Sequence, residues 1–121
     1  MVMVEADEYK IFQVIYNLVN NAINYTGDDK QIWVRQIVRE DGYVRIEVTD
    51  SGEGIAPEAL PYVWDRYYKV DKTHKRAVMG TGLGLSIVKN ILELHDARYG
   101  VESEVGKGST FWFELKVYQI V

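Results

Sequence analysis

From Ile11 to Gly27 the chain carries no charged residue, yet the stretch is rich in carboxamides. Laid out at about 100° per residue, Ile11, Ile15, Leu18, Val19, Ala22 and Ile23 gather on one side of a helix, with Gln13, Asn17, Asn20, Asn21 and Asn24 on the other. An ordinary solvent-facing stripe holds Glu and Lys, which form helices better than Asn. Two readings stand. One is a solvated polar face that happens to be rich in Asn. The other is a site. Neutral carbonyl oxygens suit a hard cation that already carries an anionic ligand, Mg²⁺ on phosphates being the usual case. Carboxylates in the same positions would repel the phosphates.

Glycine placement adds to the second reading. Seven of the 10 glycines fall in three clusters, Gly52/Gly54, Gly80/Gly82/Gly84 and Gly106/Gly108. Gly80-Thr81-Gly82-Leu83-Gly84 runs directly into a helical segment, where free N–H groups and the positive end of the helix dipole make a phosphate seat. A tight turn before a helix accounts for such a cluster equally well. Gly106-Lys107-Gly108, between two strands, reads as a hairpin turn rather than a ligand contact. Asp50-Ser51-Gly52-Glu53-Gly54 ends a strand. Its acid either accepts a hydrogen bond from an exocyclic amine or simply closes an Asx-turn. No Gly-x4-Gly-Lys-Ser/Thr loop, dinucleotide fingerprint, His-Arg-Asp or Asp-Phe-Gly element occurs.

The elements that must position these residues are legible in outline. A helix is predicted from Asp7 to Tyr25, with Asp7 as N-cap and Gly27 as stop. Strands follow at Gln31–Val38 and Tyr43–Thr49, joined through Asp41-Gly42, and Val44, Ile46 and Val48 bury one face of the second. Pro57 to Leu60 makes a helical turn, and Asp71 to Ala77 a loop. Leu83 to Leu94 is a second helix with Leu83, Ile87, Val88, Ile91, Leu92 and Leu94 as its apolar stripe. Strands at Arg98–Ser103 and Ser109–Val117 complete a helix-on-sheet sandwich. At 121 residues, with no linker or repeat, residues 1–121 form one domain. The net charge of −4 argues against a general nucleic-acid binder. The absence of cysteine excludes disulfides, zinc-thiolate sites and cysteine nucleophiles. No membrane span or signal peptide is visible.

Taken in order, the pieces resemble the ATP-binding catalytic domain of sensor histidine kinases, in the gyrase/Hsp90/histidine kinase/MutL superfamily. Asn17 to Thr26 resembles the N box, Asp50 to Ile55 the G1 box, Val63 to Lys69 the F box (with Trp64 and Tyr67 where Phe is usual) and Gly80 to Leu85 the G2 box. Gly106 to Thr110 resembles the strand turn that closes the domain. The resemblance implies an α+β fold, a two-layer α/β sandwich of the Bergerat type. Its mixed, mostly antiparallel sheet is covered on one face by about three helices. It implies that the chain binds ATP and Mg²⁺ and donates the γ-phosphoryl group to a histidine on a dimerisation hairpin outside this chain. Asn21 would ligate Mg²⁺, with Asn17 one turn earlier. Asp50 would recognise the adenine amino group beside Gly52, Gly54 and Ile55, and Tyr25 would pack at the nucleotide. Gly80, Thr81, Gly82, Leu83, Gly84 and Leu85 would surround the phosphates. Arg66 or Lys69 would be the F-box cation facing the γ-phosphate, with Tyr68 between the two in sequence also at the nucleotide. Lys72, Lys75 and Arg76 would approach the phosphates from a mobile lid over about Val70 to Met79, and Thr110 would complete the set.

Three departures stand out. Asn24 replaces a Lys that helps bind phosphate in many members, His95-Asp96-Ala97 replaces His-Gly-Gly and requires a different backbone shape, and Trp64 enlarges the F-box anchor. Superfamily ATPases place a Glu at the position of Asn17 to activate water; an amide cannot act as a general base, so hydrolysis should be slow. His74 reads as a lid residue and His95 as a structural cap, so the phosphoaccepting histidine and a response regulator belong to a longer, cytoplasmic or membrane-anchored parent. No nucleic acid or membrane contact is expected of this domain. An anti-sigma-type serine kinase and a non-catalytic nucleotide-sensing domain are the alternatives.

Overall fold

Asp7 starts the first helix as its type predicts. Its side chain accepts the N–H of Lys10 at 3.1 Å, satisfying one of the four donors a helix start leaves open, and α1 runs Glu8–Tyr25. The structure, a computed structural model, describes residues 2–4, 6–26, 31–65 and 84–120. Val14, Leu18 and Ala22 are the fully buried positions of α1, and Ile11, Ile15 and Val19 flank them. Ile23, expected inside, is 54% exposed. The buried arc is centred on Leu18 and Ala22, and Ile23 lies a further ~100° round the helix. Val14, on the other shoulder of that arc, takes its place in the core.

The second helix, α2 (Gly84–Leu94), buries Val88, Ile91 and Leu92. Leu94, assigned to its apolar stripe, is 82% exposed, because the last turn runs past the edge of the core. Leu83 lies outside the described residues. The helix ends with Asp96 at φ +52° and the Ala97 N–H on the Leu92 carbonyl at 2.9 Å. That is the left-handed closure glycine usually provides, so Asp96 supports the glycine-like backbone itself and the different shape expected there is not needed. His95 ties the two helices together. Its Nε2 accepts the Asp7 N–H at 3.0 Å, which leaves the proton on Nδ1 to be donated to the Ile91 carbonyl at 2.8 Å. The start of α1 therefore sits at the end of α2, and the helices run antiparallel.

The strands are β1 (Val2–Val4), β2 (Ile32–Val38), β3 (Tyr43–Asp50), β4 (Arg98–Glu104) and β5 (Gly108–Ile120). Every pairing among the described residues is antiparallel, in keeping with the mostly antiparallel sheet expected. Gly42, at φ +89°, turns β2 into β3. The order is β2-β3-β5, and β5 is long enough to hold β4 beside its first half and β1 beside its end. β1, only three residues, is too short to show a period and was not anticipated. The helical turn expected at Pro57 to Leu60 is present, the Leu60 N–H donating to the Pro57 carbonyl at 3.3 Å, and it runs on into a 3-10 helix over Leu60–Tyr62. Val44 and Val48 of β3 and Phe111, Phe113 and Leu115 of β5 face the helices and form the core with Val14, Leu18, Val88 and Leu92.

The outer face of the sheet is not simply solvated. Glu47 and Glu114 are 7% and 3% exposed there, although their positions alternate with the apolar ones. Arg45, in the central strand, accounts for both. Its Nε meets Glu47 at 2.9 Å, its Nη1 meets Glu114 at 3.3 Å and its Nη2 meets Glu102 at 2.9 Å, while the guanidinium lies over the Trp112 ring at 4.1 Å. Arg35 adds a second cation to Glu47 at 2.7 Å, and Arg98 bonds Asp41 at 2.9 Å, holding that exposed carboxyl below its ordinary range. A buried pair broken from one side leaves uncompensated charge and costs about 3–5 kcal/mol. Without Arg45, Glu47 keeps Arg35, and Glu114 keeps Arg39 and Arg98, each at 3.4 Å. Arg45→Ala should therefore lower urea-unfolding stability by less than that, about 1.5–3 kcal/mol. A loss under ~1 kcal/mol would mean that Glu47 and Glu114 do not depend on it.

Candidate functional site

Two elements bring the proposed site residues together, and a third buttresses them. On α1, Asn17, Asn21 and Asn24 are half-buried, whereas Gln13 and Asn20 are exposed. The spacing of four and three residues stacks the three amides along one strip. That strip lies on the α2 side of the helix. Lys10 and Gln13 share a cavity of about 320 Å³ with Ile87, Asn90, Ile91, Leu94 and His95 of α2, at the N-terminal end of α1. Because the helices are antiparallel, Asn17, Asn21 and Asn24 run on from there towards Gly84, where α2 begins. The amides are a partly sheltered shoulder beside Val14 and Leu18 and not a freely solvated face.

Asp50 closes β3 with its side chain fully buried on the helix side of the sheet. Its Oδ1 accepts the Gly52 N–H at 2.8 Å, so the Asx-turn is present and fixes the carboxylate. The turn is lashed to the end of α1. The Thr26 hydroxyl donates to the Gln31 carbonyl at 3.2 Å and lies 3.2 Å from the Ser51 hydroxyl. The Gln31 N–H reaches Ser51 Oγ at 3.3 Å, and the Ser51 N–H donates to the Gln31 carbonyl at 3.2 Å. Thr26, Gln31 and Ser51 thus hold the amide strip and the buried acid in one frame. Only their neighbours carried a chemical signal in the sequence.

The loop after Asp50 rests on the β4–β5 turn. The Gly106 N–H donates to the Glu53 carbonyl at 2.7 Å, and the Ile55 N–H donates to Ser103 Oγ at 2.7 Å. Ser103 in turn bonds the Gly108 carbonyl at 3.0 Å and Ser109 at 2.8 Å. Gly54 and Gly108 have φ of +79° and +99°, and a Cβ on either would overlap backbone oxygen, of Glu104 and Asp50 respectively. Gly54, expected beside the adenine, makes room for neighbouring backbone. Gly106-Lys107-Gly108 is the expected hairpin turn, and it also supports the loop that carries Gly52, Gly54 and the buried Ile55.

Thr110 does not join this group. It pairs with Thr49 on the outer face of the sheet, hydroxyl to hydroxyl at 2.9 Å. The strand period places odd-numbered residues of β5 towards the helices, so Ser109, 4% exposed and opposite Asp50 in the register, stands where Thr110 was expected. The alternation of Phe111, Phe113 and Leu115 was the signal. Leu85 packs against the core, and Trp64 stacks edge-on to Tyr99 and Phe111 at 5.1 and 5.5 Å. Burial, with a bond to Glu93 at 2.9 Å, pushes the Tyr99 hydroxyl up to about 12. Arg66, Tyr68, Lys69, Lys72, Lys75, Arg76, Gly80, Thr81, Gly82 and Leu83, and the side chain of Tyr25, lie outside the described residues.

With this geometry in place, the chain can be set beside known proteins. Residues 6–119 match the family described as histidine kinase-, DNA gyrase B-, and HSP90-like ATPase. The chain is 42% identical over 118 residues to Drug sensory protein A of Synechocystis sp., and 45% identical over 111 residues to Sensor protein SrrB of Staphylococcus aureus. Each match takes in 90% of this chain but only 18% of the relative's length. Among solved structures, full-length ShkA in complex with AMPPNP superposes with a TM-score of 0.83 at 28% identity, over 100% of this chain and 24% of that one. The nucleotide-free catalytic domain of histidine kinase ThkA gives 0.77 at 34% identity, over 93% of this chain and 70% of that one. The chain belongs to this ATPase family, and its fold is that of the histidine kinase members.

The tight packing at Gly108 can be tested against a glycine of similar conformation. Gly42, at φ +89°, has open space where a Cβ would stand. Gly42→Ala should cost about 1 kcal/mol from backbone strain alone, and Gly108→Ala at least ~2 kcal/mol more because the Asp50 carbonyl must move. Equal losses in paired urea titrations would show that the turn does not press on the loop.

Proposed function

We propose that this chain binds ATP together with Mg²⁺ and presents the γ-phosphoryl group to a histidine side chain carried by a separate helical hairpin. The observation that carries the reading is the half-buried strip of Asn17, Asn21 and Asn24, tied through Thr26, Gln31 and Ser51 to the buried Asp50. The donor set fits the ion. Neutral amide oxygens are hard ligands that add no charge to a cation already bridging phosphates. Among the described residues no group of three or more His, Cys, Asp or Glu side chains could cage a metal ion by itself. Asn21 would hold Mg²⁺, which supplies neutralisation of phosphate charge when bound, and Asn17 and Asn24 would flank it.

The remaining work falls to the chain's own groups. The Gly52 N–H sets the plane of the Asp50 carboxylate. An ionised carboxylate accepts several hydrogen bonds, and the adenine amino group is the donor it would select. The Gly80–Gly84 segment would supply backbone N–H groups at the start of α2, with Thr81, Leu83 and Leu85 beside it. Arg66, Lys69 and Lys72 would supply cations, and Tyr25 and Tyr68 contact area. Phosphoryl transfer needs positioning and charge neutralisation more than covalent help. Asn17, an amide, cannot take a proton from water, so the site holds ATP for an outside nucleophile instead of hydrolysing it quickly.

The relatives are called sensor proteins, and the chain spans 18% of their length. The hairpin and a response regulator are assigned here as partners of a longer parent protein. No helix among the described residues is long and apolar enough to cross a membrane.

Calorimetric titration with an ATP analogue, with and without Mg²⁺ and with adenosine and GTP as controls, tests the proposal. Binding should require the adenine base and tighten with Mg²⁺. Asn21→Ala should remove the Mg²⁺-dependent gain, at least ~10-fold in affinity or about 1.4 kcal/mol. Unchanged curves for that variant would take Asn21 out of its role.

A further inference from the structure

The two edges of the sheet are built differently. Along β4 the outward strand carries Arg98, Glu102 and Glu104, all exposed. β2 is the opposite case. Among the described residues it pairs with β3 alone, in unbroken register over all seven of its residues. It contains no proline, no lysine and no bulge, the devices that usually protect an edge. Trp33, Val34, Ile37 and Val38 are 46%, 55%, 38% and 51% exposed. Its one charge, Arg35, is already bonded to Glu47 at 2.7 Å.

The layer above this edge is open as well. Lys10 and Gln13 face α2, so Phe12, Tyr16 and Ile23 lie on the flank of α1 turned away from it. α2 packs on β4, at the far side of the sheet, which puts that flank of α1 on the β2 side. Phe12, Tyr16 and Ile23 are 68%, 54% and 54% exposed, and the Phe12 and Tyr16 rings stack at 6.5 Å. Val34 and Val38, opposite Val48 and Val44, point to this same helix side.

We infer that β2 is a homotypic docking edge, on which a second copy of this chain adds its own β2 antiparallel across a two-fold axis. The backbone phase allows it. The Gln31 carbonyl and the Arg39 N–H bond to β3, so odd-numbered residues turn inward and Ile32, Val34, Gln36 and Val38 offer their N–H and C=O groups to the open edge. A two-fold centred on Arg35 pairs Ile32 with Val38 and Val34 with Gln36 of the second copy, using the whole strand. Trp33 then meets Ile37, and Arg35 meets Arg35, each guanidinium held back by its own Glu47. The axis is perpendicular to the sheet, so both α1 helices lie on one face and their open flanks converge over the joined strands. The exposed parts of the seven apolar side chains named amount to roughly 700 Å² per copy, near the ~800 Å² per partner of a standard interface.

The test uses the chain's lack of cysteine. At a non-hydrogen-bonded antiparallel pair the Cα atoms approach to about 4.5 Å, within the range a disulfide spans. Arg35→Cys should therefore give a disulfide-linked dimer under mild oxidation, while Glu40→Cys, just past the end of the same strand, should not. Sedimentation of the unmodified chain from micromolar to millimolar concentration should show a closed monomer–dimer equilibrium. Val34→Lys/Ile37→Lys, checked for native circular dichroism, should abolish it. A chain that stays monomeric throughout, higher-order assembly without a dimer limit, or cross-linking of Arg35→Cys no faster than of Glu40→Cys would each overturn the inference.

Discussion

The candidate site depends on how three pieces of backbone are packed at the end of the central strand. Asp50 is buried where β3 stops, and its carbonyl oxygen touches Gly108 so closely that no side chain fits between them. Its carboxylate is set by the Gly52 N–H, and the next residues hang from Ser103 and the Gly106 N–H. A buried carboxylate is costly unless its bonds are in place. Here they come from a turn that would lose its shape if the β4–β5 hairpin moved. The second half of the site, the amide strip of α1, is referred to the same point through the hydroxyls of Thr26 and Ser51.

That arrangement explains a division of labour in the sheet. The helix side holds the apolar core and the polar end formed by Asp50 and Ser109. The outer side holds charge, and Arg45 lets it do so by serving three carboxylates while stacking on Trp112. β3 is consequently covered on both faces although its sequence alternates like a half-exposed strand. Glu47 reads as a surface residue in the sequence because its partners Arg35 and Arg45 reach it across and along strands, a relation that local periodicity does not contain.

Much of the fold was legible because it follows local rules. Asp7 caps, Asp41-Gly42 turns, and the spacing of Val88, Ile91 and Leu92 marks a buried helical face. What escaped were relations of registry. Ile23 and Val14 exchange places because the centre of a buried arc depends on what packs against it. Thr110 and Ser109 exchange places because a shift of one residue moves a side chain to the other face of a sheet. The Asn strip stood out as chemistry, since amides are poor surface residues for a helix. Asp50 by itself read equally as the Asx-turn it forms, and its ligand role was legible only through the resemblance. Thr26, Gln31 and Ser51, which join them, are ordinary loop residues by type and acquire their role only through contact.

The central claim is that the amides of α1 and the turn at Asp50 form one binding surface for Mg²⁺ and a nucleotide. Nuclear magnetic resonance of the isotopically labelled chain, titrated with an ATP analogue and Mg²⁺, reads both parts in one experiment. The side-chain NH₂ signals of Asn17, Asn21 and Asn24 and the backbone N–H of Gly52 should shift together along one binding curve, with the outer-face indole of Trp112 unmoved. Shifts that leave the three amides in place, or that follow separate curves for the amides and Gly52, would contradict the account.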